Sequence, residues 1–190
     1  RPDDGHGLAS RAEAVGQVPL GSPRDEGTVL GPLISGAHRD RVDTHVRDAV
    51  AAGARLVAGG ERLDLDGGYF YAPTVLADVA QDAVIVQEEV FGPVLTVQPF
   101  DTEEEAIALA NGTPYGLAAG LQTTSIARAH RVAARLQAGI VWVNDWGLLD
   151  AAVPFGGVKA SGWGRESGPE ALASYTHVKS VLVALKDGAR

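Results

Sequence analysis

Hydrophobic and polar positions recur along this chain with two periods, one typical of helices and the other of strands. Apolar residues at helical spacing begin at Ala37 and stop at Gly53, which predicts a helix with a glycine after its carboxyl end. Pro73 interrupts a later apolar run and predicts an edge strand or a pair of short strands there. The runs that predict strands are residues 55–58, 69–76, 94–97, 117–121 and 140–143.

Helical patterns also separate the later predicted strands. Thr102 with Glu105 three residues on forms a capping box, which predicts the start of a helix. A second helix is predicted from the apolar face that runs over residues 126–136. This alternation over residues 94–143 predicts parallel βαβ units, and therefore an α/β fold in which helices cover a parallel sheet in αβα layers.

Composition divides the chain into three predicted segments. Residues 1–36 are rich in glycine, proline and serine, which predicts a connector that is mostly loop. Residues 37–175 carry the alternating elements and form the predicted main domain. Residues 176–190 contain a predicted strand, 178–185, that is apolar on both faces. Because such a strand has to be covered, we expect a second subunit to pack on it.

One polar segment, Gln87-Glu88-Glu89-Val90-Phe91-Gly92-Pro93-Val94, stands between two apolar runs. On an extended backbone Glu88 and Glu89 point to opposite faces, which argues against a paired-carboxylate hydrolase site. Glu89 and Phe91 then share a face, and this pairing suits a ligand with hydroxyls at one end and an aromatic ring at the other. The alternative is an exposed pair of glutamates before a Gly-Pro turn.

The formal net charge of −8 argues against nucleic acid or an anionic membrane as partner. Basic residues within 39–47 alternate with acidic ones, which predicts a solvated helix face. No apolar run approaches the ~20 residues of a membrane span and no signal peptide is recognised, so we expect a cytoplasmic protein. The chain begins at Arg1 and has no methionine, which predicts that it is truncated from a longer product.

Zero cysteines exclude disulfides, thiolate metal sites and a cysteine nucleophile within this chain. The five histidines are scattered, and His38 and His45 lie seven residues apart on one predicted helix, about 10 Å along its axis. No metal site is therefore predicted. The run 162–168 is rich in glycine but lacks the preceding strand that a dinucleotide-binding loop needs.

Several motifs, taken together and in this order, resemble the NAD(P)-dependent aldehyde dehydrogenase superfamily. The three longest are Gln87–Val94, Asn111–Leu117 and the segment from Val141-Trp142-Val143-Asn144 to Glu166. Shorter ones are Gly31–Ile34, Tyr71–Val75 and Tyr175–Lys179. The resemblance covers residues 8–186 and corresponds to the C-terminal portion of a family member, since members are normally much longer.

The resemblance implies a cofactor, NAD or NADP, and residues that contact it. Glu89 matches the glutamate that binds the hydroxyls of the nicotinamide ribose, and Phe91 matches the ring that packs beside the nicotinamide. His38 and Arg41 fall where the family often places side chains against the adenosine ribose.

The resemblance also implies residues on the path of the aldehyde. Phe155 matches an aromatic wall of the tunnel, and Trp146 and Leu149 lie on the loop that shapes its mouth and base. Glu166 matches a buried glutamate proposed to pass protons; the alternative is a structural acid paired with Arg165 or a backbone donor. The predicted tunnel is apolar and aromatic through Trp146, Leu148, Leu149 and Phe155, with Trp163 as a further candidate, and this favours a hydrophobic or arylalkyl aldehyde. Asp145 and Asp150 leave an amino-aldehyde open.

The family reaction oxidises an aldehyde to a carboxylic acid through a cysteine thiohemiacetal and thioester. That cysteine, with the general base and the cofactor's phosphate site, would lie outside this chain. Two hypotheses follow. The chain is part of a working aldehyde dehydrogenase, a homo-oligomer (dimer or tetramer) joined through the terminal strand, or it is a non-catalytic remnant acting as an assembly or ligand-binding module. In either case the chain alone is expected to be inactive.

Overall fold

The computed structural model describes residues 4–184, apart from the side chains of residues 4–7 and 11. The chain divides into two compact units, residues 1–113 (unit 1) and 114–190 (unit 2). The domain limits expected at residues 36 and 175 stay a prediction. No helix within the described residues is both long enough and apolar enough to cross a membrane.

Unit 1 combines helices with a small mixed sheet and a hairpin. Its helices are α1 (Asp4–Gly16), α2 (Gly36–Ala51), α3 (Val84–Gln87) and α4 (Glu103–Asn111), and its strands are β1 (Arg55–Ala58), β2 (Arg62–Leu65), β3 (Gly68–Tyr71), β4 (Thr74–Ala77) and β5 (Val94–Val97). The sheet has the order β1-β4-β5, with β1 antiparallel and β5 parallel to β4. Strands β2 and β3 form a separate antiparallel hairpin.

Local capping explains where the longer helices of unit 1 begin. The Ser35 side chain accepts the His38 N–H at 3.1 Å at the start of α2. The Thr102 side chain accepts the Glu105 N–H at 3.1 Å, and Glu105 in turn accepts the Asp101 N–H at 2.7 Å. The Thr102 half of the predicted capping box is therefore confirmed, whereas the Glu105 side chain accepts the N–H of Asp101, one residue before the cap, instead of that of Thr102.

The hydrophobic core of the chain lies in unit 1, between α2 and the sheet. It consists of Val42, Val46, Ala49, Tyr71, Leu76, Val79 and Ile85. All of β4 is buried, and β4 is the central strand of its sheet. The predicted pair of short strands is confirmed, but the edge position is wrong for β4. Pro73 lies just before β4, so its lack of an N–H removes no hydrogen bond between the strands of the sheet.

Unit 2 contains one of the βαβ units predicted over residues 94–143. Its elements are β6 (Tyr115–Gly116), β7 (Ala118–Leu121), α5 (Ile126–Ala133), β8 (Ile140–Val143), β9 (Val158–Lys159), a 3₁₀ turn (Pro169–Ala171) and α6 (Leu172–Tyr175). Strands β7 and β8 are parallel and flank α5 in sequence, as predicted. Strands β6 and β9 pair antiparallel. Together with the parallel β4–β5 pair, this confirms the predicted α/β fold.

Unit 2 packs through its backbone. Within residues 114–184, the buried positions are three glycines and one alanine: Gly116, Gly156, Gly157 and Ala129. A Cβ added at Gly139 would collide with the Gly156 carbonyl oxygen, and one added at Gly156 would collide with the Gly164 carbonyl oxygen. Glycine is therefore required where these backbone segments approach one another.

The predicted C-terminal strand is not formed within the described residues of this single chain, and its pairing with a second subunit stays a prediction. Residues 178–184 belong to no strand, and Val178 and Leu182 are each 97% exposed. A strand needs a hydrogen-bonded neighbour, and no pairing with this segment occurs within residues 4–184. Leu185, the end of the predicted strand, lies outside the described residues.

Candidate functional site

The segment 87–94 joins α3 to β5 without regular structure of its own. Its beginning is fixed because the Gln87 side-chain amide donates to the carbonyl oxygens of Gln81 and Gly112, at 2.6 and 2.9 Å. Glu88 caps α3 with extended backbone angles, and both Glu88 and Glu89 are exposed. An exposed, ionised carboxylate offers two oxygens as acceptors, so this segment has the group that ribose hydroxyls require.

Phe91 lies in the left-handed region, with a φ of 50°, and its side chain is 68% exposed. The simple alternation that put Glu89 and Phe91 on one face therefore does not hold, since it assumed an extended backbone throughout. A non-glycine residue in this region costs about 1–2 kcal/mol. The exposed ring gains little from burial in this chain, so its surface is open to contact with another molecule.

Gly92 seats the segment on α2. A Cβ added at Gly92 would lie 2.7 and 2.8 Å from the two methyl groups of Val42, which is fully buried. Val90 and Val94, on either side, pack against the same core cluster. The segment therefore rests on α2, and the position of Phe91 depends on that contact.

His38 and Arg41 lie in the first turns of α2, three residues apart and so on neighbouring positions of the helix surface. Arg41 is exposed and His38 is half-buried. Both ring nitrogens of His38 are buried and have no hydrogen-bond partner among the described residues. Buried polar atoms are ordinarily paired, so these nitrogens are an exception, and a ligand would reach them only if the side chain turned outward.

A charged cluster on α2 was missed in the sequence. Asp43 is only 2% exposed, and its carboxylate contacts Arg62 at 2.8 Å, Arg47 at 3.2 Å and the Tyr71 hydroxyl at 3.3 Å. The predicted solvated face over residues 39–47 is therefore wrong at Asp43. The only sequence feature that indicates burial of Asp43 is its place between Val42 and Val46, which puts residue 43 next to the apolar face of the helix.

The same cluster changes the ionisation of Tyr71. Burial, followed by the negative charge of Asp43 and the hydrogen bond to it, raises the pKa of Tyr71 well above its ordinary value of 10.0. The hydroxyl therefore stays protonated at neutral pH and donates to the Asp43 carboxylate.

In unit 2 the loop after β8 presents an aromatic and apolar surface. The rings of Trp142 and Trp146 lie 4.9 Å apart, and the Trp142 indole N–H donates to the Leu148 carbonyl oxygen at 2.7 Å. A Cβ at Gly120 would come within 3.0 Å of the Trp146 ring, so the glycine makes room for it. Trp146 and Leu149 are both exposed. The predicted tunnel residues thus carry unburied apolar surface.

Phe155 and Glu166 are brought together, since each donates its backbone N–H to the other's carbonyl oxygen at 2.7 Å. The Arg165 guanidinium donates to the carbonyl oxygens of Gly157 and Gly164, at 2.7 and 2.9 Å. The alternative in which Arg165 pairs with Glu166 is therefore wrong. Phe155 is half-buried and the Glu166 side chain is exposed, so the buried carboxyl implied by the resemblance is not found in this chain. The proton-relay role of Glu166 stays a prediction.

The predicted residues thus form two groups. His38, Arg41, Glu89 and Phe91 lie in unit 1, whereas Trp146, Leu149, Phe155 and Glu166 lie in unit 2. No group of three or more histidine, aspartate or glutamate side chains that could hold a metal ion occurs among the described residues.

Comparisons with known proteins identify the group of proteins to which this arrangement belongs. The NAD⁺ complex of an aldehyde dehydrogenase from Bacillus cereus is 47% identical with a TM-score of 0.92, over 98% of this chain and 38% of that one. A betaine aldehyde dehydrogenase from Staphylococcus aureus in complex with NAD⁺ is 43% identical with a TM-score of 0.87, over 91% of this chain and 35% of that one.

The chain therefore spans a little over a third of the length of these solved structures. The sequence model described as "Aldehyde dehydrogenase family" matches residues 7–181, almost the whole chain. This family match, together with the shared fold at this level of identity, shows that the chain belongs to the aldehyde dehydrogenase family.

Proposed function

We propose that this chain is the C-terminal part of an aldehyde dehydrogenase that oxidises an aldehyde to a carboxylic acid with NAD or NADP. The solved relatives that hold NAD⁺ support NAD. The nucleophilic cysteine lies outside these residues, which contain no cysteine. It would form the thiohemiacetal and then the thioester, because a thiolate is the strongest nucleophile among ordinary side chains near neutral pH.

The observation that carries the proposal is the exposed ring of Phe91, held on a left-handed backbone two residues after the exposed Glu89. Backbone strain is retained where the surroundings impose it, and here Gly92 and Val42 fix the segment. A flat apolar ring and an acceptor-only carboxylate two residues apart are the groups that a nicotinamide riboside would contact. The ring supplies a packing surface, and the carboxylate accepts hydrogen bonds from the sugar.

The residues of this chain would therefore bind and orient the cofactor. When bound, the nicotinamide accepts the hydride that leaves the substrate. The Glu89 carboxylate holds the two ribose hydroxyls, and the Phe91 ring keeps the nicotinamide face from water. The exposed Arg41 provides a polar contact for the adenosine ribose, and His38 on the same helix would do so once its side chain turns its buried ring nitrogens outward. In unit 2, Glu166 would relay a proton along the aldehyde path.

The test is Glu89→Gln in the enzyme encoded by the full reading frame, with NADH formation and NAD titration as readouts. Loss of a hydrogen bond to a charged group costs about 1.5–3 kcal/mol, so NAD affinity is expected to fall about 10- to 100-fold. Glu88→Gln is the matched control, since it removes the same charge one residue away and is expected to leave NAD affinity unchanged. Equal effects of the two variants would contradict the role of Glu89.

A second candidate is a non-catalytic remnant that binds a ligand or assists assembly, and it is consistent with the lack of a cysteine nucleophile in these 190 residues. The purified 190-residue chain is expected to form no NADH with any aldehyde. Catalysis by the product of the full reading frame would exclude the remnant hypothesis, and a reading frame with no upstream cysteine would exclude the enzyme.

The substrate proposed is a hydrophobic or arylalkyl aldehyde. Trp146, Leu148 and Leu149 are exposed, whereas the Asp145 and Asp150 carboxylates each already accept a backbone N–H of the same loop, from Trp146 and Ala152. A higher kcat/KM for phenylacetaldehyde than for 3-aminopropanal or betaine aldehyde is expected. The reverse order would exclude the apolar substrate.

We also propose assembly into a cytoplasmic homo-oligomer through residues 176–190. The support is the exposed apolar segment at the end of the described chain, where Val178, Val181, Leu182 and Val183 are all more than two-thirds exposed. Apolar residues in such a run are usually covered by a partner.

A further inference from the structure

Arg62 joins the hairpin to α2 through two carboxylates. It lies on β2, and its guanidinium contacts Asp43 at 2.8 Å and Asp40 at 2.9 Å, both on α2. The Nε–H also donates to Asp43 at 3.0 Å. The planar fork of a guanidinium can hold two acceptors in fixed directions, which a lysine ammonium does not do. We call Arg62, Asp40 and Asp43 the Arg62 clamp.

The clamp fixes one particular turn of α2. Asp40 and Asp43 are three residues apart, and Arg41 and Val42 lie between them. Asp43 is almost fully buried, so its charge is tolerated only because it is paired. The turn held by the clamp therefore has a defined position relative to the hairpin.

That turn also supports the segment 87–94. The Val42 methyl groups occupy the space that a Gly92 side chain would need, and Gly92 follows Phe91 directly. Displacing Val42 would displace Gly92, and with it the strained backbone at Phe91. Arg41 and His38, the other proposed cofactor residues of unit 1, lie on the same turn and the one before it.

We infer that Arg62 is a positioning residue: by clamping Asp40 and Asp43 it sets the place of Val42, and through Gly92 the place of Glu89 and Phe91. Its effect on the backbone of residues 84–94 is independent of the proposed function, whereas its effect on the cofactor rests on that function. Arg62 itself is not proposed to contact the cofactor, Glu89 or Phe91.

Arg47 provides a matched control. It contacts the same Asp43 carboxylate at 3.2 Å, but from the same helix and four residues on, and its side chain is 72% exposed. Arg47 therefore adds charge without joining two elements. If charge neutralisation of Asp43 were all that mattered, Arg47→Lys and Arg62→Lys would have similar effects.

The first test is hydrogen–deuterium exchange of the purified 190-residue chain, followed by mass spectrometry. Arg62→Lys is expected to speed exchange in residues 84–94, whereas Arg47→Lys leaves it at the wild-type rate. Should Arg62→Lys fail to fold, Asp40→Asn removes the more exposed arm alone and is expected to give the same local change. Wild-type exchange in residues 84–94 of the folded variant, or equal acceleration by Arg47→Lys, would overturn the inference.

The second test uses the enzyme encoded by the full reading frame. Arg62→Lys is expected to raise the KM for NAD about 3- to 10-fold, the size of effect that a change along a chain of packed residues can produce, while kcat and the KM for the aldehyde stay within about twofold. A role limited to stability would lower Tm and leave the KM for NAD unchanged, which would overturn the positioning of the cofactor residues. A wild-type enzyme that oxidises no aldehyde would contradict the proposed function, and the exchange experiment would still decide the structural part.

Discussion

Tyr71 shows how one buried hydroxyl ties stability to pH. Its side chain is 1% exposed, and its hydroxyl donates to the Asp43 carboxylate. Ionisation would place a phenolate beside a carboxylate in an apolar surrounding, so burial and that charge raise the pKa of Tyr71 in the folded chain. In the unfolded chain the same hydroxyl keeps its ordinary pKa of 10.0.

This difference sets the sign of a pH effect. Below pH 10 both states keep the proton and the contribution of Tyr71 to stability is fully present; above it the unfolded state loses the proton first. The free energy of unfolding is therefore expected to fall by up to about 1.4 kcal/mol per pH unit above pH 10 through Tyr71 alone. Urea denaturation between about pH 9 and about pH 11 measures it.

Tyr71→Phe should remove that slope, whereas Tyr175→Phe, at an exposed tyrosine, should keep it. Equal slopes in the two variants would show that Tyr71 ionises normally in the folded chain.

The sequence motifs identified Glu89 and Phe91 as candidate site residues, but no sequence pattern indicated that Asp43 and Tyr71 contact each other. Their contact joins α2 to a strand 28 residues away, and such a tertiary pair has no local signature.

At the scale of elements, the packing of the segment 87–94 on α2 depends on the missing side chain of Gly92. An added Cβ would meet both methyl groups of a valine that is fully buried and has no room to move. Gly92→Ala is expected to lower the free energy of unfolding by about 1–3 kcal/mol, the usual cost of overpacking.

Gly27→Ala is the control for this variant, because a Cβ at Gly27 meets no atom within 4 Å. Denaturation of both variants gives the comparison, and Val42→Ala in the Gly92→Ala background should recover part of the loss. A Gly92→Ala variant as stable as Gly27→Ala would mean that the segment does not rest on α2.

Elements with strong local signals were predicted well. The Thr102 cap and the βαβ unit of β7, α5 and β8 follow from propensity and period, which act within a few residues. The central place of β4 was missed because proline lowers strand propensity, whereas the neighbours of a strand decide its position in a sheet. The positive φ of Phe91 has no signal in the sequence, since it results from how the segment is held at both ends.

At the scale of the whole chain, the two units differ in what is buried. Unit 1 has a contiguous apolar core, whereas unit 2 buries three glycines and Ala129 within its described residues. Stability from apolar burial is therefore concentrated in unit 1. Regions with few buried apolar contacts open more readily than the core.

Hydrogen exchange of the isolated chain is expected to reflect this difference. Amides of β7, α5 and β8 should exchange well before those of α2 and β4 under native conditions. Protection of β8 equal to that of β4 would contradict the expectation, and it would mean that backbone packing alone holds unit 2 as firmly as the apolar core holds unit 1.

The C-terminal segment gives a second prediction at this scale. If a second copy covers residues 176–190, deleting them from the full enzyme should convert the oligomer to monomers in analytical ultracentrifugation, because the exposed valines and leucine would no longer be available to the partner. Leu182→Asp keeps the chain length and should weaken assembly for the same reason. An unchanged sedimentation coefficient in both variants would place the subunit interface elsewhere.

The glycine packing of unit 2 also limits how this protein could be made more thermostable. Engineers usually fill cavities with larger side chains, but Gly139, Gly156 and Gly157 face backbone or side-chain atoms that leave no room for a methyl group. Gly164 differs, because a Cβ there meets no atom within 4 Å and its backbone is not left-handed. Replacing it with alanine would restrict the unfolded chain and add about 0.4–1 kcal/mol. In unit 2, substitutions that lower the conformational entropy of the unfolded chain are therefore a better route to stability than substitutions that fill the core.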